Sequence, residues 1–145
     1  MMPLLGWTVF AVMSVIAILH AYWAVGGLWP AATEAELVKT VIGITRSQTM
    51  PPGLHSLAVA VLVFAAAGFA LARGAFGYDS VLFSRIPLGV VAFIMLARGI
   101  YAYLPGPFSR ASEPFATLNA MFFSPAILVL GIAFAWLALG PASRS

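Results

Sequence analysis

The 145-residue chain is 63% hydrophobic and only 8% charged, whereas soluble domains carry charge on about a quarter of their residues, so a water-soluble fold could not cover this much apolar surface. Its formal charge of +3 arises from seven Lys and Arg residues spread singly against four acids, which excludes the clustered basic face that nucleic-acid binding requires. There is no cysteine, and disulfides, thiolate metal sites and thiol nucleophiles are excluded with it.

The first apolar stretch runs from about Leu4 to Leu28 with no basic segment before it. At 25 residues it is longer than the apolar core of a signal peptide, so it reads as a retained membrane span. As a helix it extends roughly 37 Å, enough to cross a hydrocarbon core of about 30 Å with some tilt. The connection that follows, Trp29 to Gly53, is the longest. Within it, Thr33-Glu34-Ala35-Glu36 has the spacing of a capping box and predicts a short interfacial helix through about Ile42. Met50-Pro51-Pro52-Gly53 then breaks the helix and delivers the chain into a second span, about Leu54 to Ala72.

A turn-rich loop, Arg73 to Arg85, precedes a third span at about Ile86 to Leu104. A third connector, Pro105 to Leu118, contains Pro105-Gly106-Pro107 and Pro114, and a fourth span covers about Asn119 to Leu139. Lipid supplies no hydrogen bonds, so each span must close its own backbone as a helix. The expected fold class is therefore all-α: a four-transmembrane-helix bundle, one integral membrane domain over 1–145, with a longer first extramembrane loop. Small residues at Ala17, Ala21, Ala65 to Gly68, Gly131 and Ala135 mark candidate helix contacts, because close approach replaces hydrophobic drive in lipid.

Four spans place both termini on one side. Arg73, Arg85 and Arg144 lie on that side, and Lys39, Arg46 and Arg110 on the other. Arg73 and Arg85 sit at span ends, which favours both termini in the cytoplasm under the positive-inside rule. The expected location is a bacterial cytoplasmic (inner) membrane.

Arg98 is the one formal charge inside the four spans. It lies roughly 9 Å from the end of the third span, where a charge costs less than the about 2.5 to 3.5 kcal/mol of the bilayer centre, and it either snorkels outward or faces a polar interior. His20 lies at a comparable depth, about 12 Å from the same boundary, with Trp23 on its face. Tyr101 shares a helical face with Arg98, His55 opens the second span, and Asn119 and Ser124 begin the fourth. The candidate ligand-binding set is thus His20, Trp23, Arg98, Tyr101, Asn119 and Ser124. An ordinary interfacial ring of polar residues is the competing reading, above all for His55 and Asn119. No nucleophile elbow, phosphate-binding glycine loop, His-Glu-x-x-His helix or intramembrane carboxylate pair occurs; Glu34, Glu36, Asp79 and Glu113 all fall in loops.

The string His20-Ala21-Tyr22-Trp23-Ala24-Val25-Gly26-Gly27, Met50-Pro51 before the second span, Arg98 in the third, and Phe115-Ala116-Thr117-Leu118-Asn119 leading to Ser124-Pro125 together resemble an uncharacterised, domain-of-unknown-function family of small bacterial four-helix membrane proteins. The resemblance covers nearly all of the chain and implies that fold and topology, without an activity. Members of that family tend to carry Asp where Asn119 stands and Tyr where Phe123 stands. An aspartate there would pair with Arg98, whereas Asn119 hydrogen-bonds without neutralising it, which weighs against a charge-pair mechanism in this chain.

Three functions compete. The first is a non-catalytic accessory subunit, or a binder of a small lipid-like ligand in a polar pocket near one membrane face. Its partners are the lipid bilayer and another membrane protein or a second copy. The second is a redox protein with His20 and His55 as axial ligands to a haem. The third is an intramembrane enzyme on an apolar substrate, with His20 as general acid or base and Arg98 holding an oxyanion.

Overall fold

The computed structural model describes residues 1–141, so Arg144 lies outside the described residues. Four long helices, α1 (Met2–Ala24), α3 (Gly53–Gly74), α4 (Val81–Tyr101) and α5 (Phe115–Leu139), are each long and apolar enough to cross a membrane. A short helix α2 (Glu34–Val41) lies in the first connection, and there is no strand among the described residues. The chain is an all-α four-helix bundle and a multi-pass membrane protein.

Each helix ends for a local reason, and the ends differ from those read off the hydropathy. α1 stops at Ala24 instead of Leu28 because Gly26 takes a φ of 89°, a left-handed conformation that closes the helix although apolar residues continue. α3 extends to Gly74, which moves Arg73 out of the second loop and into the last helical turn. α4 begins at Val81, five residues before the expected Ile86, because Ser80 Oγ accepts a hydrogen bond from the Phe83 amide at 3.2 Å and caps the start. α5 likewise begins at Phe115, ahead of Asn119. The start of α2 is capped as its sequence indicates: Thr33 Oγ1 accepts from the Glu36 amide at 3.3 Å. Glu36 Oε2 reaches back to the Ala32 amide at 3.2 Å.

The helices associate as two close antiparallel pairs, α1 with α3 and α4 with α5. In the first, the backbones touch at glycines: a Cβ on Gly6 would lie 2.9 Å from Gly74 Cα, and one on Gly74 would lie 2.6 Å from Gly6 Cα. In the second, Gly99 receives Leu128 and Gly131 receives Leu96. Close packing of this kind drives helix association in lipid, where burial of apolar surface gains little. Of the small residues marked in the sequence, Ala17 and Gly131 are buried contacts, while Gly68 faces open space with nothing within 4 Å. Val9, Met13, Ala67, Leu88, Phe134 and Leu137 form the centre where the pairs meet.

Candidate functional site

The polar residues of the candidate site gather at the end of the bundle that carries the first and third connections. Arg98 stands three residues before the end of α4 and His20 four before the end of α1, about 4.5 Å and 6 Å from those ends. Both are shallower than the hydropathy spans implied, because both helices end sooner. Arg98 Nη2 donates to Asn119 Oδ1 at 2.9 Å, and Ser124 Oγ donates to the same oxygen at 3.1 Å. Two donors fill the two lone pairs of that oxygen and fix which way the amide faces. Asn119 and Ser124 meet because residues Asn119–Phe123 form a wide π turn, in which the Ser124 amide bonds Asn119 O. Five residues apart, they would diverge around a regular α-helix; the wide turn brings them into line.

The guanidinium carbon of Arg98 lies 3.8 Å from the centre of the Phe108 ring, a cation–π contact. Tyr101 packs edge-on against the other side of that aromatic group at 5.8 Å. It supports Phe108 and does not line the cavity described next. Nη1 of Arg98 is buried and has no hydrogen-bond partner among the described residues. No carboxylate pairs with Arg98 either: the ion pairs among the described residues all involve Asp79. A desolvated cationic donor left in this state costs about 1 to 3 kcal/mol or more.

Arg98 opens onto a cavity of about 470 Å³ that it shares with His20 and Trp23 of α1, Phe108 and Phe115 of the third connection, and Phe123 and Leu130 of α5. His20, Trp23 and Arg98 are thereby brought together, while Asn119 and Ser124 stand behind Arg98 and orient it. His20 Nδ1 is 2.9 Å from Ile16 O. A carbonyl only accepts, so Nδ1 carries the proton and Nε2 of the neutral ring is an acceptor. The indole of Trp23 packs edge-on to His20 at 5.1 Å and donates to Trp29 O at 2.8 Å.

The aromatic wall was not legible as part of the site, since Phe108 and Phe115 sit in or beside a proline-rich connector. They are held by a latch between the first and third connections: the Ser112 amide and hydroxyl both donate to Gly43 O, at 2.9 and 3.1 Å. Gly43 has φ 61°, and a Cβ there would meet Phe115 at 2.3 Å, so only glycine admits that ring.

His20 also borders a smaller cleft of about 210 Å³, together with His55, Met50 and Ser56. Pockets for drug-sized ligands hold about 300 to 1,000 Å³, so the cleft between the two histidines is small for a tetrapyrrole. His55 is itself exposed. Among the described residues no group of three or more His, Cys, Asp or Glu is placed to hold a metal ion.

A second charged cluster lies at the opposite end of the bundle. Arg73 is fully buried, donating from Nε to Leu137 O at 3.0 Å and from Nη2 to Gly140 O at 2.9 Å. It thus satisfies carbonyls at the end of α5 that have no partner in their own helix. Its Nη1 lies 2.7 Å from Asp79, which also receives two hydrogen bonds from Arg85 at 2.7 and 2.8 Å. The Arg85 hydrogen bonds, aided by the charge of Arg73, hold the Asp79 carboxyl at about 2, below its ordinary 3.8.

A family described as "Protein of unknown function (DUF3995)" matches residues 13–134, a segment that contains every residue of the Arg98 cavity. The chain belongs to this family. The DUF3995 match takes in α3 and α4 entirely and most of α1 and α5. Neither a curated protein nor a solved structure matches the chain.

Proposed function

We propose that the protein is a non-catalytic binder of a lipid-like anion, held at the membrane face that carries the first and third connections. The observation that carries this reading is the buried, unpartnered Nη1 of Arg98 beside an apolar cavity of about 470 Å³. An anionic head group supplies both the missing acceptor and the missing counter-charge, and a charge-assisted bond of this kind is about twice as strong as a neutral one. His20 Nε2 and the rings of Trp23 and Phe108 complete the contact surface. Asn119 and Ser124 position the guanidinium, and Tyr101 supports Phe108.

The described cavity lining includes no carboxylate and no hydroxyl nucleophile, which favours binding over catalysis. A stable complex with another membrane protein remains compatible with this role, the ligand then serving the assembly. We place the protein in a bacterial cytoplasmic membrane with both termini inside, since Arg73 and Arg85 belong to the termini side.

Native mass spectrometry of the protein released gently from its own membrane tests the reading. The expected spectrum shows an adduct on the 15.3 kDa chain. In Arg98→Gln its occupancy falls about tenfold, the loss of one charge-assisted bond. An adduct retained equally by Arg98→Gln, or a chain free of any adduct, rejects the proposal.

A further inference from the structure

The cavity beside Arg98 is one end of a longer opening. A second groove, of about 580 Å³, lies further along the same two helices and is lined by Leu4, Leu5 and Thr8 of α1 and by Ile132, Ala133 and Trp136 of α5. The two volumes adjoin at neighbouring residues of α5, Val129 in the groove and Leu130 in the cavity. As numbering falls along α1 it rises along α5, so the pair forms one antiparallel seam. From Phe123 to Trp136 the seam runs about 20 Å along the helix, two-thirds of a hydrocarbon core of about 30 Å.

The seam is open because both helices are committed elsewhere. α1 turns Gly6 to α3, and α5 turns Gly131 to α4. Their bulkier faces remain toward each other and keep the backbones apart, where small residues would have let them close. Ile132 and Trp136 are exposed, so the groove opens sideways toward lipid. Charge is confined to one end: Arg98 lines the cavity, while the groove has Thr8 as its one polar lining side chain among the described residues.

We infer that the ligand is a lipid with a single long apolar chain, whose anionic head pairs with Arg98 and whose chain lies along the α1–α5 seam. This rests on the proposed function and adds the shape of the ligand and its lateral route from the bilayer. A short anion would use the cavity alone and leave the groove to ordinary bilayer lipid. A chain anchored at Arg98 continues into the groove through the only direction in which the two volumes adjoin.

The test uses the full chain in phosphatidylcholine vesicles and two long-chain fatty carboxylates, one with a photoactivatable diazirine beside the carboxyl and one with it at the chain end. Only labelling displaced by unlabelled palmitate is counted, and the sites are mapped by mass spectrometry. The head-proximal probe is expected on the Phe108 to Phe123 segment, and the chain-end probe on Leu4 to Thr8 and Ile132 to Trp136. Thr8→Trp, which fills the groove from an exposed position, lowers chain-end labelling about fivefold and leaves labelling by an octanoate probe unchanged.

If head labelling depends on Arg98 but the chain end marks the groove between α1 and α3 beside Ala17 and Ala60, the seam is overturned and the binding function stands. If acetate displaces the probes as well as palmitate does, the ligand is a small free anion and the seam is again overturned. Cross-linking of two copies through Thr8 in place of lipid labelling assigns the groove to a dimer and overturns it too. If neither label depends on Arg98, the underlying function falls.

Discussion

Asn119 sets the electrostatics of the candidate site by being an amide. It orients Arg98 through a 2.9 Å hydrogen bond and leaves the positive charge for something else. Asn119→Asp should therefore satisfy Arg98 internally. We expect thermal stability in detergent to rise by about 1 kcal/mol, the gain from converting a neutral to a charge-assisted bond, and occupancy by an anionic ligand to fall. Unchanged ligand occupancy would show that the charge of Arg98 is not what the ligand reads. Asp79 supports a pH prediction of definite sign. Its carboxyl is held at about 2 against an ordinary 3.8, so its contribution is full above 3.8 and is lost as pH falls through about 2. Melting temperature should be insensitive to this group from neutral pH down to about 4 and should drop below that; Asp79→Asn, unstable throughout by comparison, should show a shallower acid limb. The identity of Arg98 as a costly group was legible from sequence because it stood alone in an apolar span. The burial of Arg73 was not, since the carbonyl oxygens it caps are 64 and 67 residues away.

The helices themselves were written in the chain as four long runs of apolar residues, and their ends were set by features that hydropathy does not weigh. Gly26 closes α1 early, and Ser80 opens α4 early. The wide turn at Asn119–Phe123 defeats any reading by a 3.6-residue period, which puts Asn119 and Ser124 on different faces. Glycine in these helices divides into two kinds, and substitution should separate them. Gly6→Ala drives a methyl group to 2.8 Å from the Ala75 amide nitrogen and 2.9 Å from Gly74 Cα, backbone atoms that cannot rotate away. It should cost about 1 to 3 kcal/mol by overpacking. Gly68→Ala meets nothing within 4 Å and should be neutral or stabilising by up to about 1 kcal/mol through helix propensity. Parallel thermal unfolding of the two variants reads the difference, and equal effects would contradict the glycine contact between α1 and α3.

At the scale of the molecule, two tight helix pairs share a limited interface, pinned by Arg73 at one end and covered by the latched connections at the other. The pinned end carries Met1 and the turn at Gly77; the covered end carries the two longer connections. The absence of native cysteine makes this arrangement directly measurable. Single cysteines at Ser47 and Ser112 should react with an impermeant maleimide from the same side of sealed vesicles, and one at Gly77 from the other. Labelling of Ser112 and Gly77 from one side would refute the four-span topology. Pairing of the helices was beyond the sequence, because alanine and glycine are common on every face of such spans and only the backbone contact distinguishes Gly6 from Gly68.

Trp23 lines the cavity beside Arg98, and Trp136 lines the far end of the groove between α1 and α5. Of the remaining tryptophans, Trp7 packs against Phe10 and Phe76, and Trp29 belongs to the first connection. The protein consequently carries a fluorophore at each end of the seam. With Trp7 and Trp29 replaced by Phe, a quencher placed on a lipid chain would dim Trp136 and one placed near its head would dim Trp23. Intrinsic emission thus reports, without any added dye, which way round a lipid lies in the molecule.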